Sequence, residues 1–253
     1  ELNVGCIPMD DPCPAGEWAT AAGDVLYVQA GANGDGLSAE SPLGSITAAL
    51  NAVTGTTETI LVAKGMYNEQ VVNDKGVLIK GACASETFLS FSSNTNYEYG
   101  VELRGFGQPG IQGVTMMGNS LGLAVLDSNY AVVQDVIIRG KRGHGMVIQN
   151  LNADDSIDQV WVELQGVLIT RTMASDGQTA SSLYAGENTL VDANELLIEG
   201  GDALGIDLDG SDITVRNAAI ADTEAFALRA TDGSSVDLIN VVLDANTGSG
   251  LEF

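Results

Sequence analysis

The sequence predicts an all-β protein, a parallel β-helix solenoid with a small N-terminal cap and one short helix. Three observations predict it. Helical periodicity is nearly absent over 253 residues. Short β segments are broken by Gly, Asn and Asp at intervals that settle near 22 residues. When those segments are superimposed, their apolar positions and their breaks coincide. Composition agrees, because 31 glycines against five prolines suit tight turns, and a chain only 5% aromatic must fill its core with small and branched side chains.

Each element has its own signal. Residues 1–25 lack alternation and are read as an N-terminal cap segment, with residues 26–253 as a single β-helix domain. "SPLGSITAALNAVT" is the one helical stretch: Ser45 can cap a run that carries Ile46, Ala49, Leu50 and Val53 on one face. "VLIKGACA" and "GIQGVTM" then open the repeat. "AVVQDVII" (131–138), "VWVELQGVLI" (160–169), "LVDANELLI" (190–198), "ITVRNAAI" (213–220) and "VDLINVVL" (236–243) continue it. One column of this alignment contains Gly81, Gly113, Asp135, Gly166, Glu195, Asn217 and Asn240, separated by 32, 22, 31, 29, 22 and 23 residues. Gly, Asn and Asp tolerate positive φ, so the column reads as a turn repeated in each unit, with Glu195 the odd residue. Apolar columns flank it, Val133, Leu164, Ala193, Val215 and Leu238 before the turn and Val136, Val167, Leu196, Ala218 and Val241 after it. A further strand precedes each pair, in "GLAVLD", "GMVIQN", "SLYAGE", "GIDLDG" and "FALRAT". Three short strands in about 22 residues is the arithmetic of a parallel β-helix, with rungs about 4.8 Å apart. Residues 150–158 and 172–182 are loops pushed out of longer rungs.

Charge and cysteine content bound the function. A net charge of −24 argues against nucleic acid, because phosphate must be neutralised by lysine and arginine. It suits a well-solvated surface or a protein that collects cations. No run of 18 apolar residues exists, so no transmembrane segment is expected, and no signal peptide is visible ahead of a start that a processing step could have made. Cys6, Cys13 and Cys83 form no zinc pattern and point to disulfides outside the cytoplasm. A Cys6–Cys13 pair is favoured over Cys13–Cys83, because seven residues close easily and Cys83 reads as a strand residue that simply packs. The odd count leaves one thiol free or pairs it upstream.

The stretch from Leu26 to Cys83 resembles the N-terminal portion of secreted right-handed β-helix proteins of the pectin-lyase-like class. "YV", "GDG…SP", "SITAALNAV", "TILVAKGMYNE" and "VLIKG" carry the resemblance. It implies a right-handed coil and an extracellular or bacterial cell-surface location. It implies little about chemistry, because lyases, hydrolases, esterases, adhesins and inert stalks share this portion. "GHG" around His144 is similar to a polygalacturonase signature, but the Asn-Thr-Asp, paired Asp-Asp and Arg-Ile-Lys that accompany it are missing, so His144 is read as a turn residue. "GMYNEQV" is similar to the Gly-x-Tyr-x-Glu of pectin methylesterases, whose downstream catalytic motifs are also missing. A lyase would need acidic metal ligands and an arginine base on the first-strand face, where this chain offers Asp207 and Asp209 at i and i+2 and Arg229 one rung later, beside Asp209.

Other residues suggest binding. Tyr130, Trp161 and Leu190 are equivalent in three rungs and should form an outward apolar ladder suited to sugar rings or a partner protein. Tyr184 on the first-strand face is a further sugar contact. Asp154, Asp155 and Asp158 offer hard oxygen ligands for calcium, without the regular spacing of a dedicated loop; no other cofactor is expected. The function expected is a non-catalytic extracellular structural or adhesive module, which binds carbohydrate or a surface protein or stacks end to end on itself as a homo-oligomer or filament. The alternative is a polysaccharide lyase or glycoside hydrolase acting on an acidic polysaccharide through Asp207, Asp209 and Arg229. The basic cluster of Arg139, Lys141 and Arg142 could offset repulsion between copies only on the side of the stack.

Overall fold

The computed structural model describes residues 13–92, 98–118, 121–151, 158–174, 180–248 and 250–252. Among them every strand pairing is parallel, and the strands fall into two sheets. The first runs Asp24–Val28, Thr57–Val62, Leu78–Gly81, Gly110–Met117, Ala131–Arg139, Val160–Thr172, Thr189–Gly201, Asp212–Thr223 and Ser235–Asp244, with Gly65–Asn68 and Thr87–Ser90 beside it. The second runs Val71–Asn73, Tyr99–Gly105, Leu121–Ser128, Met146–Gln149, Ser181–Ala185, Leu204–Asp209, Leu228–Thr231 and Leu251–Glu252. Each rung contributes one strand to each sheet, so a side chain stands above its equivalent in the next rung. The three strands expected per rung are present, but the last two are the legs of one bent strand.

The bend is the turn column. Gly113, Asp135, Gly166, Glu195, Asn217 and Asn240 have φ between 51° and 65°. Glu195, the odd residue in the sequence, turns at 57° like its neighbours. Gly81 departs from the column. Its φ is not positive, and glycine is required there because a Cβ would collide with the carbonyl oxygen of Gly113. Side-chain amides link the rungs beside the bend: Asn240 donates to Asn217 at 2.8 Å, Asn217 to Asn194 at 2.9 Å and Asn194 to Gln165 at 2.8 Å. Inside, Val133, Leu164, Ala193 and Val215 before the bend and Val136, Val167 and Leu196 after it are at most 1% exposed. Each buried Val or Leu contributes roughly 1.5–3 kcal/mol relative to exposure.

A second turn column was not visible in the sequence. Gly140, Arg171, Gly200, Asp222 and Ala245 follow paired residues at the end of the bent strands and have φ of 67°, 56°, 66°, 56° and 53°. Arginine and alanine give no local hint of this conformation; stacking imposes it. Glycine at the start of the second-sheet strands has a different cause. Gly122, Gly145 and Gly205 do not have positive φ, and at Gly145 a Cβ would lie 2.7 Å from both the Ser182 carbonyl oxygen and Ile169. The next rung leaves no room for a side chain.

The N-terminal end is closed by the helix Ile46–Ala52, with Ser45 Oγ accepting from the Ala48 amide at 3.1 Å and Ile46, Ala49 and Leu50 buried. Glu69 accepts from the Ile46 and Thr47 amides at 2.9 Å each, which satisfies free donors at the helix start. Tyr67 is buried and donates to the Ala63 carbonyl at 2.9 Å. "GMYNE" therefore fastens the helix to the first rungs.

The cysteine expectation is corrected. Cys13 is bonded to Cys83, with Cα atoms 5.3 Å apart. Cys83 lies beyond the strand Leu78–Gly81, at a corner, and is free to bridge. The chain at Pro14 is held against this corner by Lys64, whose ammonium donates to the Pro14 carbonyl at 2.8 Å and pairs with Glu86 at 2.8 Å. Cys6 lies outside the described residues. The basic cluster also divides, because Arg139 and Arg142 are exposed while Lys141 is 1% exposed. At the far end, Val236, Leu238, Val241 and Leu243 turn inward but stay half-buried, and Ile239 and Leu251 are exposed.

Asn217→Val should cost about 1–3 kcal/mol through the strained turn and the lost amide bonds, read as a lower urea midpoint. Lys141 gives a second prediction. It forms no ion pair with a described residue, and burial pushes its ammonium down from 10.5 to about 8. Below pH 8 the folded and unfolded chains both carry the charge, and the cost of burying it is present in full. Between about pH 8 and 10.5 the unfolded chain binds more protons, so stability rises with pH. Lys141→Met should raise stability near neutral pH by about 2–3 kcal/mol and remove that rise, measured by urea unfolding across this range.

Candidate functional site

The outer face of the second sheet places one side chain per rung in line. Successive strands pair Val147 with Tyr184, Tyr184 with Asp207, and Asp207 with Arg229. At about 4.8 Å per strand, Tyr184 and Arg229 stand about 10 Å apart along the coil. These four line an open groove of about 350 Å³ together with Tyr99, His144 and Gln149.

Within it, Arg229 forks onto Asp207: Nε donates to Oδ1 and Nη2 to Oδ2, each at 2.8 Å. The Asp207 side chain is 6% exposed and that of Arg229 32%. The hydrogen bond to Asp207 raises the Arg229 pKa further. The sequence suggested that Arg229 lies beside Asp209. The register overturns this, because Asp209 pairs with Thr231 and Asp207 faces Arg229. Asp209 instead accepts from the Tyr184 hydroxyl at 3.4 Å. Burial raises the Tyr184 phenol, and Asp209 adds to the effect.

His144 lies at the corner before the strand Met146–Gln149, where the sequence placed it, yet its side chain lines the groove. Its ring is 5.4 Å from Tyr184, and Nδ1 is 2.7 Å from Ser181 Oγ. Burial lowers the imidazole pKa, while nearby Asp207 opposes the shift. The serine–histidine contact resembles an activated nucleophile, but Ser181 is 0% exposed and out of reach of a substrate. Sequence reasoning missed this use of His144, Tyr99 and Gln149, because the contacts span rungs and the rungs differ in length.

The aromatic ladder stands elsewhere, on the first sheet. Tyr130 meets Trp161 edge to face, with ring centres 5.2 Å apart, and Leu190 pairs with Trp161. Trp161 is 45% exposed. The Tyr130 hydroxyl donates to Glu163 at 2.5 Å, and that bond, reinforced by burial, pushes its phenol up to about 12. Tyr130 and Trp161 thus share one face, and Tyr184 belongs to another. Asp154 and Asp155 lie outside the described residues, and Asp158 is exposed. Among the described residues the one group of three potential metal ligands is Cys13, Cys83 and Glu86, and its two sulfurs are joined in the disulfide.

Parallel rungs with a polar groove on one outer face define a β-helix solenoid. Residues 99–253 match the family model described as right handed beta helix region, and the chain belongs to that family. Comparison with curated proteins returned no match. The described residues contain no helix long and apolar enough to cross a membrane, and the disulfide is compatible with an extracellular location.

Arg229→Ala should destabilise the fold by about 3 kcal/mol, because it leaves the Asp207 carboxylate buried without its partner. The double variant Asp207→Asn/Arg229→Met should lose less. Urea unfolding of both checks this.

Proposed function

We propose that this protein is a non-catalytic extracellular β-helix module, displayed on a bacterial cell surface or released from it, that binds carbohydrate in the groove of the second sheet. The observation that carries this reading is the convergence of Tyr184, His144, Asp207 and Arg229 in one open groove, with the two charged groups bonded to each other. An aromatic ring beside fixed polar groups suits a sugar, whose rings have apolar faces and hydroxyl edges. The disulfide and the acidic surface support the location.

The rival reading places a polysaccharide lyase or glycoside hydrolase on the same face. A lyase base at Arg229 would have to lose a proton while Nε and Nη2 are held by Asp207, which favours the charged form. A carbohydrate array followed by calorimetry separates the two. Tyr184→Ala should weaken binding about tenfold or more with the fold intact. Uronic-acid polymers should release no reducing ends and develop no ultraviolet absorbance. Turnover abolished by Asp209→Ala would establish the enzyme instead.

A further inference from the structure

The leg of each bent strand that follows the bend carries an apolar stripe on its outer side. Val136, Val167, Leu196, Ala218 and Val241 turn toward the core, so the residue after each points outward. Those residues are Ile137, Leu168, Leu197, Ala219 and Val242, which the register joins into one column five rungs long. All five are half-buried, and an outer face in contact with water alone has no need of such a run. Charge beside the stripe is sorted by rung. On the flank that leads to the second sheet, Arg139, Arg142 and Arg171 lie on the rungs of Ile137 and Leu168. On the same flank Glu199, Asp222 and Asp244 lie on the rungs of Leu197, Ala219 and Val242. All six are exposed, and none forms an ion pair with a described residue. The other arginines, Arg104, Arg216 and Arg229, are each paired with a carboxylate. Free arginines therefore gather at one end of the stripe and free carboxylates at the other.

We propose that this stripe is the interface of a homodimer, in which two copies of the chain pack side by side with their coils antiparallel. A two-fold axis that crosses the coil between Leu168 and Leu197 reverses the order of the rungs and keeps the charged flank against itself. Leu168 then meets Leu197 of the second copy, and Ile137 meets Ala219. Arg171 faces Glu199, Arg139 faces Asp222, and symmetry repeats both contacts. A two-fold axis along the coil suits the charges less. It would set this flank against the bend column of the second copy, where Glu195 stands on the same rung as Glu199. Two chains of charge −24 repel each other. At about 0.15 M salt, exposed charges more than about 8 Å apart are largely screened, while the contacts between arginine and carboxylate at the interface persist. The stripe lies on the first sheet, apart from the groove, so the inference is independent of the carbohydrate-binding reading.

The experiment is analytical ultracentrifugation at a chain concentration of about 100 µM in about 0.15 M salt. The unmodified chain should sediment at twice the monomer mass. Leu168→Glu should leave a monomer. Arg139→Glu/Arg171→Glu and Glu199→Arg/Asp222→Arg should each be monomeric alone, because like charges then face each other. Mixed in equal amounts, those two proteins should form a dimer, because opposite charges meet again in both halves of the interface. Trp161→Ala, on the outer side of the leg before the bend, should stay dimeric. Thermal melts establish that each variant is folded, and the mixture itself shows that both charge variants keep a competent surface. A monomeric unmodified chain, assembly beyond two copies, loss of the dimer in Trp161→Ala, a dimer that survives either charge reversal, or a mixture that stays monomeric overturns the proposal.

Discussion

The structure depends on one constraint: parallel strands in register must return to the same direction after every rung. The return is set by backbone angles at the corners, and a corner that drifted by one residue would turn the inward stack of Val133, Leu164, Ala193 and Val215 outward. Six residues of the bend column therefore share φ within a narrow range although they are of four different types. Amide bonds from Asn240 through Asn217 and Asn194 to Gln165 add a polar tie outside the apolar stack. Strain at each corner is offset by burial of two legs of strand.

The same constraint makes the outer faces precise. A residue that points outward stands one strand spacing from its equivalent, without any need for a loop to position it. Asp207 and Arg229 meet through two parallel hydrogen bonds because adjacent strands hold them at that spacing. Tyr184 and Val147 continue the line. His144 approaches from a corner, and its contact with Ser181 fixes the ring against the wall. Side chains held this way are preorganised by the strands that carry them.

Much of the fold was legible because its signal recurs. The period, the bend column, the helix with its Ser45 cap and the outward positions of Tyr130 and Trp161 all follow from patterns that repeat or that one segment contains. What could not be read depends on contacts between rungs. Arg171 and Ala245 adopt positive φ only because their neighbours in the stack do. Cys83 pairs with Cys13 because it lies at a corner, beyond the strand Leu78–Gly81, and not within a strand. The site was half legible. The sequence singled out Asp207, Asp209, Arg229 and Tyr184, but a shift of one position within the rung exchanged which aspartate meets the arginine. His144 was assigned to its corner from the glycine beside it, and nothing local revealed where its ring points.

Electrostatics joins the solenoid to its surface chemistry. The chain has ten lysines and arginines against 34 acidic residues. Five of the ten, Lys64, Lys75, Arg104, Arg216 and Arg229, are committed to ion pairs, and Lys141 is buried. Equivalent outward positions recur one strand spacing apart, so charges on neighbouring rungs can meet, as Glu163 and Asp192 do in paired positions. Some cations are drawn to a carboxylate on a neighbouring rung or strand position, as Arg216 is to Asp192 and Arg104 to Glu102, whereas the exposed Arg139 and Arg142 form no ion pair with a described residue. The carboxylates left over give the surface a negative potential, which repels polyanions and draws small cations.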